Sequence, residues 1–432
     1  MGNLHEISDI AIEYLKSKDG IKGDIHVYES ETHEITMRDG KFTLFRTMFD
    51  ENIRTKVIKD HKKGTGSINK FTKEAVIKVI DDAITSADAG EADECFDIAP
   101  CFGEDTYEMG VLEPDIDKLI ERTKELADTI ASKYKKIKLM EMYAKYIRSK
   151  GVYINTNGSK EEKSCGYYQI SIGFAGNDGE NSTGIAGSYA VFDSLDKELI
   201  EVGNIKKDLM DTENSLNPIT LKDKFDGDII LTPDCAVQLL SFLLSVGVGE
   251  RNIIDKTSVW YDKIGQQVAS PLLTLGANTW DERIIDHETH TDDGFKSEDF
   301  TIIEKGVLKS YLLSLYGANK TGFERALNTS MAAVVEPGDT AYDDMIKSVK
   351  KGLIVGAVSC GIPSSNGEIS GVAKNSFYVE NGEVKSAVIE TMISANLFDM
   401  FKNIKAISKE QLCNGTMVMP AIQISGVTIS GK

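Results

Sequence analysis

Apolar residues first recur at helical spacing. Ile7, Ile10, Ala11, Tyr14 and Leu15 share one face of residues 5–18, and Asp19-Gly20 ends the run. Alternation then takes over: Ile25-His26-Val27-Tyr28 and Ile35-Thr36-Met37 repeat with period two, and Asp39-Gly40 ahead of Phe42-Thr43-Leu44 has the backbone chemistry of a tight hairpin. Residues 53–58 predict a further strand with Arg54 and Lys56 toward solvent. Thr72 predicts a helix start, because its hydroxyl can accept from first-turn amides before Ala75, Val76, Val79, Ile80, Ala83 and Ile84 line one face.

Periodicity fades over 88–113, where acids mix with Gly90, Pro100, Gly103 and Gly110, so a linker or long excursion is expected. An amphipathic helix follows from Asp115 to Tyr134, then strands at 138–147, 151–155 and 167–174 and a glycine-rich stretch at 173–187. The apolar run from Cys235 to Gly249, broken by Gln238, Ser241 and Ser245, predicts a buried helix. At about 15 residues it falls short of the ~20 of a membrane span. The closing segment 421–429 alternates like a half-buried antiparallel strand pair. Strands are not each followed by a crossover helix, which favours α+β over a doubly wound sheet. The expected organisation is an N-terminal domain over 1–90, an acidic linker at 91–112, a middle domain over 113–218 and a C-terminal domain over 219–432.

Composition narrows the function classes. The 68 acidic against 49 basic side chains give a net charge of -19, a field that repels phosphate backbones. The densest basic stretch, His61-Lys62-Lys63, fits a solvated turn, so no direct nucleic-acid partner is expected. The six cysteines (Cys95, Cys101, Cys165, Cys235, Cys360, Cys413) lack CxxC or framework spacing, and the first twelve residues lack the basic and apolar regions of a signal peptide. A cytoplasmic protein without membrane attachment is the expectation.

No self-contained chemical motif stands out. Phosphate-cradling glycine loops and a GxSxG elbow are absent, and Gly64-Thr65-Gly66 and Gly247-Val248-Gly249 fit turns or close packing. The one metal-like stretch is Asp286-His287-Glu288-Thr289-His290-Thr291-Asp292-Asp293. Its histidine spacing of three, with Gly294 following, fits an exposed strand and solvated turn, leaving His287 and His290 as an alternative metal site. His5, His26, His33 and His61 stand singly and are expected at the surface or in packing.

The C-terminal half carries a resemblance. Thr257-Ser258-Val259, Ile264 to Pro271, Asp292-Asp293-Gly294, Gly306 to Leu313, Ser370 to Ala373, Val379 to Glu383, Asn396-Leu397 and Ile424 to Gly431 resemble the TldD/PmbA family, first known as modulators of DNA gyrase. The front half agrees more loosely, around Asp39-Gly40, Arg54, Thr72 and Asn155 to Gly158. The resemblance implies a PmbA/TldD-like α+β fold, with an antiparallel sheet and helices in the N-terminal region and a β-rich C-terminal domain. It also implies one of two related subunit types that pair into a peptidase for small or unfolded polypeptides, one type holding zinc on an HExxxH helix.

Aligned from Thr257-Ser258-Val259, that motif falls on residues 241–246. There Ser241 and Val246 replace the histidines and Phe242 the glutamate. The resemblance therefore implies the zinc-less PmbA/TldE type, with no catalytic, cofactor or metal residues of its own and zinc in a TldD-like partner. Cys413 lies near a further cysteine ligand of the zinc-binding type but cannot complete a four-coordinate site without the histidines. Two alternatives stand beside this reading: a stand-alone metal-dependent peptidase using His287 and His290, and a homodimeric peptide-binding protein without hydrolysis.

Overall fold

The computed structural model describes residues 3–330 and 332–432. In the first half the order is α1 (Leu4–Lys16), β1 (Ile21–Arg38), β2 (Lys41–Lys59), β3 (Lys62–Ile68), α2 (Lys73–Ala89), β4 (Glu104–Gly110), α3 (Ile116–Lys133), β5 (Ile137–Asn155), β6 (Lys160–Gly176), β7 (Ala186–Phe192) and α4 (Ile205–Asn214). Its strands form one seven-stranded sheet in the order β3-β2-β1-β5-β6-β4, with β7 also on β6. All pairings are antiparallel except β4 with β6. Residues 91–112, expected as an acidic linker, thus supply a strand to this sheet.

The helices begin and end where side-chain chemistry dictates. Asn3, Thr72 and Asp115 cap the starts of α1, α2 and α3, each accepting a first-turn amide. The apolar faces of α1 and α2 bury Leu15, Val79, Ile80 and Ala83 against Ile25, Val27, Ile53 and Val57. Helix α3 covers β5 and β6 with Leu119, Leu126 and Ile130. Gly64 and Gly66 lie on β3 under α2, where a Cβ on Gly64 would stand 1.9 Å from the Ala83 carbonyl oxygen. The Gly64-Thr65-Gly66 fragment is therefore close packing.

The strand pairs expected around residues 25–37 and 138–155 are in fact single strands of 18 and 19 residues. Apolar alternation fails in their middles because ion pairs take its place. Glu34, buried on the sheet, meets Arg46 at 2.9 Å and Lys145 at 3.1 Å on its two neighbouring strands, and Glu31 pairs with Arg148 and His33. Lys56, expected toward solvent, instead reaches buried Asp24 at 2.9 Å.

The second half contains β8 (Ile219–Thr220), β9 (Lys224–Leu231), α5 (Pro233–Gly247), α6 (Glu250–Ile254), β10 (Leu275–Ala277), β11 (Phe300–Glu304), β12 (Val307–Leu308), α7 (Leu315–Thr321) and β13 (Ala333–Val335). It continues with α8 (Tyr342–Ser348), β14 (Lys351–Val355), β15 (Ala357–Cys360), β16 (Glu368–Lys374), β17 (Ser376–Glu380), β18 (Glu383–Ile389), β19 (Met392–Asn396), α9 (Leu397–Lys402), β20 (Ile404–Cys413) and β21 (Val418–Ser430). These strands form a mixed sheet of 14. The molecule is thus α+β, antiparallel in its N-terminal sheet apart from one strand and mixed in its C-terminal one.

Strand β21 pairs with β9, β13, β19 and β20. The sequence predicted a half-buried strand pair here. It is one strand, buried on both faces from Val418 to Ile424, because Ile422 and Ile424 face the core under α5 while Ala421 faces the smaller core beside α8. Helix α5 is buried along Cys235, Ala236, Leu239, Leu240, Leu243, Leu244 and Val246, as its apolar run predicts.

Replacing Gly64 by Ala is expected to lower unfolding free energy by about 2–3 kcal/mol, since backbone rather than a flexible side chain blocks the new methyl. Gly361, with open space around its Cα, is the control and should change stability by less than about 0.5 kcal/mol when replaced by Ala. Urea unfolding of both variants checks the contrast; equal effects would contradict the packing.

Candidate functional site

Three places in the fold carry polar chemistry. The first is α5, where the family resemblance leads one to expect a zinc motif. Ser241 is exposed and its hydroxyl donates to the Val237 carbonyl at 2.8 Å, the ordinary back-bond of a mid-helix serine. Phe242 is half-buried against the core, and Val246 is buried within it. A hydroxyl turned into its own helix, a phenyl ring and a packed isopropyl group supply no zinc ligands, so these residues do not fit the ion.

The second place is the segment 286–293, expected as a solvated turn. It packs on the N-terminal sheet because that sheet offers it buried acids. Glu161 of β6, almost fully buried, accepts from His290 Nδ1 at 2.6 Å and from the Thr289 hydroxyl with the same oxygen, leaving Oε2 without a hydrogen-bond partner. His290 Nε2 lies 3.4 Å from His26 Nδ1 on β1, and Tyr153 stacks on His290 with ring centroids 4.6 Å apart. Burial, and then the neighbouring His290, hold the His26 imidazole well below its usual range. Burial pushes Asp24 upward against the pull of Lys56.

Around this cluster runs a seam of charge pairs between the two halves: Lys163 with Asp286 at 3.0 Å, Lys296 with Asp105 at 2.7 Å and Lys320 with Asp93 at 2.6 Å. The segment is a joint between sheets. His287 turns away from His290, with Nδ1 at 2.6 Å from the Thr279 carbonyl and its ring stacked on Trp280. Cys413 donates instead to the Arg283 carbonyl at 3.3 Å. The structure does not bring His287, His290 and Cys413 together, and among the described residues no group of three His, Cys, Asp or Glu side chains converges as a metal site. Of the single histidines, His26 is a packing residue and His5 lies 3.4 Å from Glu162 near the surface.

The third place is a cavity of about 840 Å³ between the halves. Its walls come from β6, β7, α4, the first turns of α5 and α8, and the β20–β21 end. Asp208 of α4 accepts from the Ser188 hydroxyl and from Asn204 Nδ2 at 2.8 Å. Burial raises Asp208 to about 7, with Asp234 adding to the rise, and burial raises Asp234 as well. Tyr342, also desolvated, is pushed far above the usual phenol range. None of these residues stood out in the sequence. They lie up to 154 positions apart in ordinary polar contexts, and only Thr232-Pro233-Asp234 at a helix start carried a local signal, that of a cap.

The model of the PmbA/TldA metallopeptidase C-terminal domain matches residues 225–431, and that of PmbA/TldA metallopeptidase domain 1 matches residues 23–87. The chain belongs to the PmbA/TldD family of metallopeptidase-type proteins. A metalloprotease of Methanocaldococcus jannaschii is 25% identical, covering 90% of each chain. The metalloprotease PmbA homolog of Haemophilus influenzae is 22% identical over 98% of this chain and 96% of that one. In fold the chain is similar to TldE from Thermococcus kodakarensis, with a TM-score of 0.87, 19% identity and 99% of each chain covered. Among the described residues no helix is long and apolar enough to cross a membrane.

Asp208 sets a pH dependence with a definite sign. Its folded value near 7 lies above the roughly 4 of an unfolded carboxyl, so the folded state holds the extra proton between the two. The stability contributed is full below the unfolded value and is lost as pH rises through about 7. Wild-type protein is expected to lose roughly 1–3 kcal/mol between pH 5 and 8 from this group, and Asp208→Asn to flatten that slope. Urea midpoints across the range test it, and parallel wild-type and variant profiles would contradict it.

Proposed function

We propose that this chain is the PmbA/TldE-type subunit of a cytoplasmic zinc peptidase acting on small or unfolded polypeptides, with zinc and the general base supplied by a TldD-like partner. The observation that carries the reading is the motif position on α5, where Ser241 bonds within its helix, Phe242 is half-buried and Val246 is packed in the core. Family membership and relatives named metalloproteases supply the reaction class. The fold shared with a protein named TldE supports the subunit type. Net charge of -19 argues against a direct nucleic-acid partner.

The stand-alone peptidase reading loses its geometric basis, since His287 and His290 engage different partners. The homodimeric binder without hydrolysis stays as an outcome of the test. The purified chain alone is expected to leave an unfolded peptide intact under zinc-replete conditions, and the chain mixed with a TldD-like subunit to cleave it. Cleavage by the chain alone that disappears in the His287→Ala, His290→Ala variant would overturn the proposal. An inactive pair would favour the binder.

A further inference from the structure

The cavity between the halves has a charge imbalance that the chain does not resolve itself. Its walls carry Asp208, Asp211, Asp234, Asp343 and Glu410 against one cation, Lys207. Lys207 is engaged by Asp211 one helical turn away. Glu410 accepts the Tyr342 amide at 3.0 Å, and Asp343 lies exposed in the first turn of α8. Asp208 and Asp234 remain. Among the described residues neither has a salt-bridge partner; Asn204 donates to Asp208, and Asp234 lines the same wall close enough for the two desolvated carboxyls to act on each other.

Holding such a pair with one lysine shared among several acids is costly in principle. The first turn of α5 offsets part of this for Asp234. Asp208, inside α4, has neutral hydrogen-bond donors, Ser188 and Asn204, and shares the single cation Lys207 with Asp234 and Asp211. The space beside them is large and only partly polar. Ile172, Ala186, Ala357 and Leu412 share the walls, and about 840 Å³ exceeds what a bare ion needs while suiting an organic ligand. An alkyl chain ending in a primary ammonium matches both features: three N–H donors for the carboxylates and methylenes for the apolar wall.

We propose that this cavity is a binding site for an alkylammonium group, held between Asp208 and Asp234 and supplied either by a lysine-bearing peptide or by a free polyamine. The site belongs to this chain and does not depend on the subunit reading above.

Calorimetric titration of the full chain tests it with two probes, spermidine and a blocked Ala-Lys-Ala-Lys peptide, beside the same peptide with norleucine for lysine. At least one ammonium probe is expected to bind with one-site stoichiometry, and the norleucine peptide to bind at least tenfold more weakly. Whichever probe binds identifies the source. Asp208→Asn and Asp234→Asn, each made singly because the isosteric amide preserves the fold best, should each weaken binding about tenfold. Glu304→Gln with Asp399→Asn, on distant surface, should leave it within twofold. The proposal fails if neither probe binds, if norleucine binds equally, if the distant variant loses as much as the cavity variants, or if Mg2+ or Ca2+ occupies the site in preference to both probes.

Discussion

The second half of the molecule is organised around one buried strand. Because β21 is paired along both edges and covered on both faces, every residue from Val418 to Ile424 must be apolar or have its polar atoms satisfied inside the protein. Gln423 shows how narrowly this is met. Its carboxamide donates to Ser348 at 2.9 Å and to Asp228 at 3.3 Å, and it accepts back from the Ser348 hydroxyl. Fixing that strand fixes α5 on one side and the α8 layer on the other. It thereby positions both α5 and the mouth of the cavity.

The two halves are joined by a different kind of interaction. The seam around Glu161, His290 and His26 is polar, with an almost fully buried carboxylate whose second oxygen has no hydrogen-bond partner. Such a joint is specific because it works in one register, with Thr289 and His290 on the same oxygen of Glu161. It is also more easily disturbed than an apolar interface, since removing one partner leaves a charge without compensation.

Sequence periodicity revealed the helices well, because α1, α2, α3 and α5 each bury one coherent apolar face. It revealed the long strands only in pieces, since cross-strand ion pairs at Glu31 and Glu34 replace the apolar alternation that marks a strand. The segment 286–293 misled for a related reason. Histidines and acids in a glycine-bounded loop look solvated until a buried glutamate 129 positions before His290 is seen to accept from it and from Thr289. The cavity was illegible because its polar residues converge only through topology. The position on α5, at Ser241, Phe242 and Val246, came from family resemblance alone and not from periodicity or spacing.

We propose that zinc resides on a TldD-like partner and not on this chain. Native mass spectrometry of the complex purified with a TldD-like subunit, followed by gas-phase separation of the two chains, measures it directly. The account predicts one zinc per heterodimer, leaving with the partner, and a metal-free mass for this chain. Zinc retained by this chain at unit stoichiometry would contradict it.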